Sequence, residues 1–159
     1  MHSIKSSQDR RALVLVFVTT DCPIANSYQP LLSKLHQEYQ GKGFQFVLVH
    51  EGPEQTPEKL RLHGKEYGVA FPIVMDADHS VARKLNATKT PEVVIVGREG
   101  SIVYQGRIDD LHQGFGKKRA VVTREDLRIA LNELDSDESV SVPKTEAVGC
   151  SIPLGLGKR

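Results

Sequence analysis

The stretch Ala12-Leu13-Val14-Leu15-Val16-Phe17-Val18, continued by Thr19-Thr20-Asp21-Cys22-Pro23, decides the fold. Its apolar, β-branched first part is typical of a strand covered on both faces, which predicts a central place in a parallel or mixed sheet. After Pro23, apolar residues recur at helical spacing as far as Tyr39, and Pro30 inside that pattern predicts a kink. Cys22 therefore stands where a central strand meets a helix.

Strand and helix signals alternate along the rest of the chain. The predicted strands cover residues 44–49, 71–75, 89–96 and 102–104, and helices are predicted to begin at Thr56-Pro57, Asp78 and Thr123. Residues 106–122 show little periodicity and predict a long loop. The order predicts an α/β fold with a central mixed sheet flanked by helices, a C-terminal helix and an irregular tail. We expect one domain at residues 1–135, then a linker and tail at 136–159 that carry Cys150.

Charge and hydropathy exclude several classes of protein. Lys and Arg number 21 against 20 for Asp and Glu in 159 residues, so charge gives no reason to expect nucleic acid as a partner. The longest apolar run, residues 12–18, is far shorter than the roughly 20 residues of a membrane span. Residues 1–11 are polar and basic, which predicts no signal peptide. A trimmed piece of an exported protein would share this pattern, so we assign no compartment.

The chain has 2 cysteines, too few for a disulfide framework, so each is judged by its place. Cys22 is predicted at a helix N-terminus, where free backbone N–H groups and the helix dipole favour the thiolate and so lower the pKa of the thiol. The thiolate is the form that attacks disulfides and peroxides. Asp21 opposes this activation, because a neighbouring carboxylate raises the pKa of a thiol. The structural alternative is a buried, inert cysteine.

The order of these motifs resembles the thioredoxin superfamily across about residues 12–134. A strand ends in Cys22-Pro23, a proline follows in the helix, and Thr90-Pro91 opens a late hairpin. Within that superfamily the chain is similar to the redoxins, the alkyl hydroperoxide reductase and thiol-specific antioxidant group, in residues 21–26 and 107–110 and in its late Gly-Cys. Two departures stand out: no Cys-x-x-Cys surrounds Cys22, and Leu15 replaces the proline of peroxiredoxins. The chain is also short at its N-terminus compared with these families.

The resemblance implies roles for four further residues. Pro91 matches the cis-proline that faces the reactive cysteine, where the preceding backbone pairs with an extended substrate; a strand-opening trans proline is the alternative. Thr19 fits the threonine that bonds the sulfur or a peroxide, or is an ordinary strand-end residue. Arg107 would stabilise developing negative charge, or is a solvated loop residue. Cys150 would resolve an oxidised Cys22, unless it is unpaired or pairs between chains.

The sequence predicts no metal or other cofactor. The six histidines show none of the tight spacings of metal sites, and we expect most of them at the surface. Copper chaperones of the Sco type share the fold but use a Cys-x-x-x-Cys pair with a histidine. Here Asn26 stands where the second cysteine would be needed.

Three functions stay open at this point. The first is a thiol-disulfide oxidoreductase in which Cys22 attacks, Pro91 positions the partner and Cys150 resolves. The second is a peroxiredoxin-like thiol peroxidase that uses Thr19, Cys22 and Arg107. The third is a non-catalytic thioredoxin-like binding domain. The partners are accordingly protein thiols or disulfides, or small peroxides, and the sequence does not identify a reductant.

Overall fold

The computed structural model describes residues 10–114 and 116–154. The predictions for most of residues 1–11, His2 included, and for residues 155–159 lie outside the described residues. The strands are β1 (Ala12–Val18), β2 (Phe44–Glu51), β3 (Ile73–Asp76), β4 (Lys89–Thr90), β5 (Glu92–Gly97), β6 (Ile102–Gly106), β7 (His112–Gly114), β8 (Lys117–Lys118) and β9 (Cys150–Ser151). The helices are α1 (Pro23–Ser27), α2 (Gln29–Tyr39), α3 (Pro57–Tyr67), α4 (Ser80–Leu85) and α5 (Asp126–Asp135).

The main sheet has the strand order β3-β2-β1-β5-β6. Strand β1 is central, parallel to β2 and antiparallel to β5. Its alternate side chains enter two cores: Val14 and Val16 pack with α2 and α5, while Phe17 packs on the opposite face with α4. A strand buried on both faces needs the continuous apolar run seen in the sequence. The predicted mixed α/β sheet flanked by helices is confirmed.

The first helical segment is divided rather than kinked. Helix α1 ends at Ser27, and α2 starts at Gln29 with Pro30 in its first turn. Proline fits a first turn because the N–H it lacks would have no helical partner there. The sequence placed Pro30 inside one helix, and the structure uses it to start the next.

Two predicted helix starts are displaced. Asp78 was expected to cap α4, but Asp76 accepts hydrogen bonds from the N–H groups of Val81 and Ala82 at its N-terminus. Thr123 was expected to open α5, which begins at Asp126 instead. The hydroxyl of Thr123 donates to the Asp110 carboxylate. At α4 the neighbouring Asp76 shares the cap with Asp78, which accepts only from the N–H of Ser80, whereas at α5 the carboxylate of Asp110, 13 positions away, takes the Thr123 hydroxyl.

The segment after α5 packs back on the domain. The N–H of Gln105 on β6 donates to Pro143 O at 2.9 Å, and the N–H of Thr145 donates to Gln105 O at 3.1 Å. Gly106 permits this approach, since a Cβ added there would lie 2.1 Å from Thr145 Oγ1. As far as residue 154, the predicted lack of a long regular element in the tail is confirmed, while the division at residue 135 stays a prediction.

Candidate dithiol site

Cys22 is held at the start of α1 by the strand that precedes it. It is the N-cap residue of that helix, with an extended backbone (φ −88°, ψ 111°), and Pro23 occupies the first turn. No acidic residue lies in the first turn, and Cys22 itself is only 1 % exposed. The Cys22 sulfur therefore faces other parts of the chain rather than open solvent.

The loop before β5 lies directly against Cys22. The Thr90–Pro91 peptide bond is cis, as the resemblance implied. The carbonyl oxygen of Thr90 lies 3.3 Å from Cys22 Sγ and accepts a hydrogen bond from the thiol. Strand β4, which ends at Thr90, thus places a main-chain carbonyl at the Cys22 sulfur.

Cys150 completes the site. Strand β9 runs antiparallel to β4, with Thr90 opposite Cys150 and Lys89 opposite Ser151. The sulfurs of Cys22 and Cys150 are 2.7 Å apart, and both cysteines are free. Two residues separated by 128 positions are therefore close enough for a disulfide to form with a small movement of the side chains.

The two thiols have opposite pKa shifts. Burial raises the pKa of Cys22, but hydrogen bonds from Cys150 and from the Ala25 backbone outweigh it, so the net shift is downward. The pKa of Cys150 is raised to about 11, first by burial and then by its hydrogen bond to Cys22 and the nearby negative charges of Cys22 and Asp21. The pair thus favours a Cys22 thiolate that accepts a hydrogen bond from a protonated Cys150.

The other two predicted site residues are Thr19 and Arg107. Thr19 follows the end of β1 and is half-buried. Arg107 donates its Nε–H to Asp126 Oδ2 at 2.7 Å and lines an open groove beside Gly149. Its charge is therefore compensated by a carboxylate from α5. The roles of Thr19 and Arg107 toward a peroxide stay predictions.

The sequence did not single out the residues that hold Cys150 in place. Thr145 Oγ1 accepts from the Arg107 N–H at 2.9 Å and bonds the buried Tyr104 hydroxyl at 2.7 Å. Gly149 lies so close to β4 that an added Cβ would be 1.9 Å from Thr90 O. The late Gly-Cys pair, Gly149-Cys150, is the one sequence feature that draws attention to Gly149, and no local pattern predicts the roles of Thr145 and Tyr104.

The expectation that most histidines lie at the surface is wrong. Four of them are buried: His36, His50, His63 and His79. His50 lies in β2 between two other strands, and His63 Nε2 is 2.8 Å from Asn26 Oδ1. Because Asn26 also donates to Thr20 O at 2.9 Å, this contact connects α3 to the turn around Cys22. A single histidine in a strand or helix pattern carries no signal of burial, which explains the error.

Residues 10–114 and 116–154 contain neither a candidate metal cluster nor a candidate membrane-spanning helix. No group of three or more His, Cys, Asp or Glu side chains there could hold a metal ion. No helix in those ranges is long and apolar enough to cross a membrane.

A mixed sheet, an N-capping cysteine, a cis-proline and a second cysteine beside it define the class, a thioredoxin-like protein with a dithiol site. The Redoxin family model matches residues 2–122, and the chain belongs to that family.

Solved structures and curated relatives agree with this placement. A hypothetical protein of Sinorhizobium meliloti is 32 % identical with a TM-score of 0.82, over 95 % of this chain and 84 % of that one. An uncharacterized conserved protein of Geobacillus kaustophilus is also 32 % identical, with a TM-score of 0.78, over 89 % of this chain and 76 % of that one. The thiol-disulfide oxidoreductase ResA of Halalkalibacterium halodurans is 29 % identical over 58 % of this chain and 52 % of its own. The chain thus spans about half the length of the curated relatives it matches.

Proposed function

We propose that this protein is a thiol-disulfide oxidoreductase in which Cys22 is the nucleophile and Cys150 the resolving cysteine. The observation that carries the proposal is the contact of the two sulfurs at 2.7 Å beside the cis peptide bond of Pro91. The similarity to ResA, a thiol-disulfide oxidoreductase by name, supports the same chemistry. The substrates would be protein disulfides or thiols.

The first step uses the lowered pKa of Cys22. Its thiolate attacks one sulfur of a partner disulfide, a mixed disulfide forms, and the partner's other sulfur leaves with the electron pair as a thiolate. The hydrogen bond from Cys150 stabilises the thiolate before attack. The main chain before Pro91 would hold the partner in an extended conformation.

The second step depends on Cys150. Once Cys22 is in a mixed disulfide it has no negative charge, so two of the causes that raise the pKa of Cys150 disappear. The Cys150 thiolate then attacks Cys22 Sγ, forms the Cys22–Cys150 disulfide and releases the partner's second thiolate. The partner gains two electrons and the chain loses two, so an external dithiol must reduce the chain again.

Intact-mass spectrometry of the reduced protein tests both steps. With a small model disulfide, Cys150→Ser should accumulate a mixed disulfide at Cys22, the parent protein should proceed to the internal disulfide, and Cys22→Ser should form no mixed disulfide at position 22. If Cys22 is not modified in any variant that retains it, the proposal is refuted and the binding-domain alternative is favoured. A Cys22 that reacts with hydrogen peroxide but with no disulfide would favour the thiol peroxidase.

A further inference from the structure

The segment that carries Cys150 occupies the place where a partner would dock. Strand β9 makes its antiparallel pairing with Lys89–Thr90, immediately before cis-Pro91. The N–H of Ile152 extends the contact by donating to Thr88 O at 2.8 Å. A main-chain group that is already paired cannot form the same hydrogen bonds with a second strand. Pairing of a partner strand with β4 and pairing of β9 with β4 therefore exclude each other, so Cys150 resolves the mixed disulfide after the partner's main chain has left β4.

The seated segment also shows which residues fit this position. A Cβ on Gly149 would lie 1.9 Å from Thr90 O, 2.7 Å from Thr90 C and 3.1 Å from Pro91 Cδ. The two nearest of these atoms belong to the main chain of a buried residue and cannot rotate away. A strand in this register can therefore place only glycine directly before the cysteine that meets Cys22.

We propose that residues 143–152 are a tethered mimic of the partner, and that the site selects extended polypeptides with glycine immediately before the reacting cysteine. This rests on the proposed function and adds to it a substrate class. Once residues 143–152 have moved away from β4, the partner takes the place of β9. The partner's cysteine then lies opposite Thr90. The tail shields the reduced site until then, since Cys22 is buried with Cys150 in contact.

Contacts at both ends of residues 143–152 determine how readily this segment separates from β4. Ile152 is 6 % exposed and packs in the core on the α4 face of the sheet. At the other end, Thr145 is held by Tyr104 and by the N–H of Arg107. Weakening either anchor should open the site to a partner without substituting Cys22 or Pro91.

The test uses a peptide that copies residues 143–152, its cysteine joined to an aromatic thiol as a mixed disulfide. The protein is the full chain with Cys150→Ser, so that Cys22 is its only thiol, and with Ile152→Ser to loosen the tail. The Cys22 thiolate attacks the peptide's cysteine sulfur, the aromatic thiolate leaves with the electron pair, and a Cys22–peptide disulfide forms. The coloured thiolate gives the rate, and mass spectrometry identifies the product.

We expect the peptide to react at least about tenfold faster than the same peptide with Gly149→Ala, since the added methyl group forces the strand out of register. Ile102→Ser is the matched control, because Ile102 is 44 % exposed and the substitution should leave the tail seated. The glycine peptide should therefore react more slowly in the control than with Ile152→Ser. If Ile152→Ser fails to fold, Thr145→Ala loosens the other anchor.

Two negative outcomes are distinguishable. Equal rates for the glycine and alanine peptides, with normal reaction toward a small disulfide, would overturn this inference and leave the proposed function standing. Failure of Cys22 to react with either peptide and with the small disulfide would refute the proposed function itself.

Discussion

Replacing Cys150 with alanine is expected to raise the pKa of Cys22. The Cys150 thiol is the first of the hydrogen-bonding groups that lower this pKa, and alanine removes it. Hydrogen bonds to charged groups contribute about 1.5–3 kcal/mol, and a thiol is a weak donor, so we use the lower end. About 1.4 kcal/mol corresponds to a tenfold change in an ionisation constant. The thiolate fraction of Cys22 should fall about tenfold at any pH well below the pKa.

Ultraviolet absorbance of the thiolate, followed against pH, measures this change directly. In Cys150→Ala the only thiol is Cys22, so the titration reports one group, and Cys22→Ser with Cys150→Ala gives the tyrosine background. Cys150→Ser is the matched control, because the serine hydroxyl keeps a donor at the same position. We expect the pKa of Cys22 to be lower in the serine variant than in the alanine variant.

Equal pKa values for Cys22 in the two variants would refute the reasoning. The lowering would then come from the backbone alone, through the Ala25 N–H at the start of α1, and Cys150 would have no part in activating Cys22. A lower pKa in the alanine variant would reverse the assigned direction of the hydrogen bond.

Three further predictions concern stability and the tail. Tyr104→Phe removes hydrogen bonds to Arg107 O and Thr145, so urea denaturation should show a loss of about 1–2 kcal/mol and alkylation of Cys22 should be faster; unchanged alkylation would show that Thr145 does not anchor the tail. Burial and then Asp76 raise the pKa of Glu51 to about 9, so this group adds stability at low pH that is lost as pH rises through about 9. Glu51→Gln should flatten the stability curve between about pH 5 and 9, and an unchanged slope would contradict the assignment. The hydrogen bond from the Thr123 side chain is the largest influence on Asp110, and with those from the Arg124 and Thr123 backbone it outweighs the opposing effect of burial. The pKa of Asp110 is therefore held at about 2, so its contribution to stability is present above about pH 4 and lost as pH falls toward 2. Asp110→Asn should remove that acid-dependent part of the unfolding free energy, measured by urea titration at each pH.

Much of the fold could be predicted because its signals are local. The apolar run of β1, the proline after Cys22 and the Thr56 cap of α3 each act within a few residues of the chain. The error at the start of α5 arose because a distant group competes with a local one. Asp110 takes the hydroxyl of Thr123, although the two residues are 13 positions apart. The burial of His50 likewise depends on its two neighbouring strands.

The candidate site likewise has features that local sequence predicts and features that depend on long-range packing. The chain by itself placed Cys22 at a strand-to-helix turn and marked Pro91 and Cys150 as its partners, because backbone rules and motif order are written in neighbouring residues. Only the tertiary structure decided that Cys150 meets Cys22, with 128 positions between them. That contact depends on long-range packing of Gly149 against Thr90 and on the hydrogen bonds of Thr145 and Ile152. Close approaches of this kind are set by surfaces that form only when the whole sheet has folded, so no local pattern encodes them.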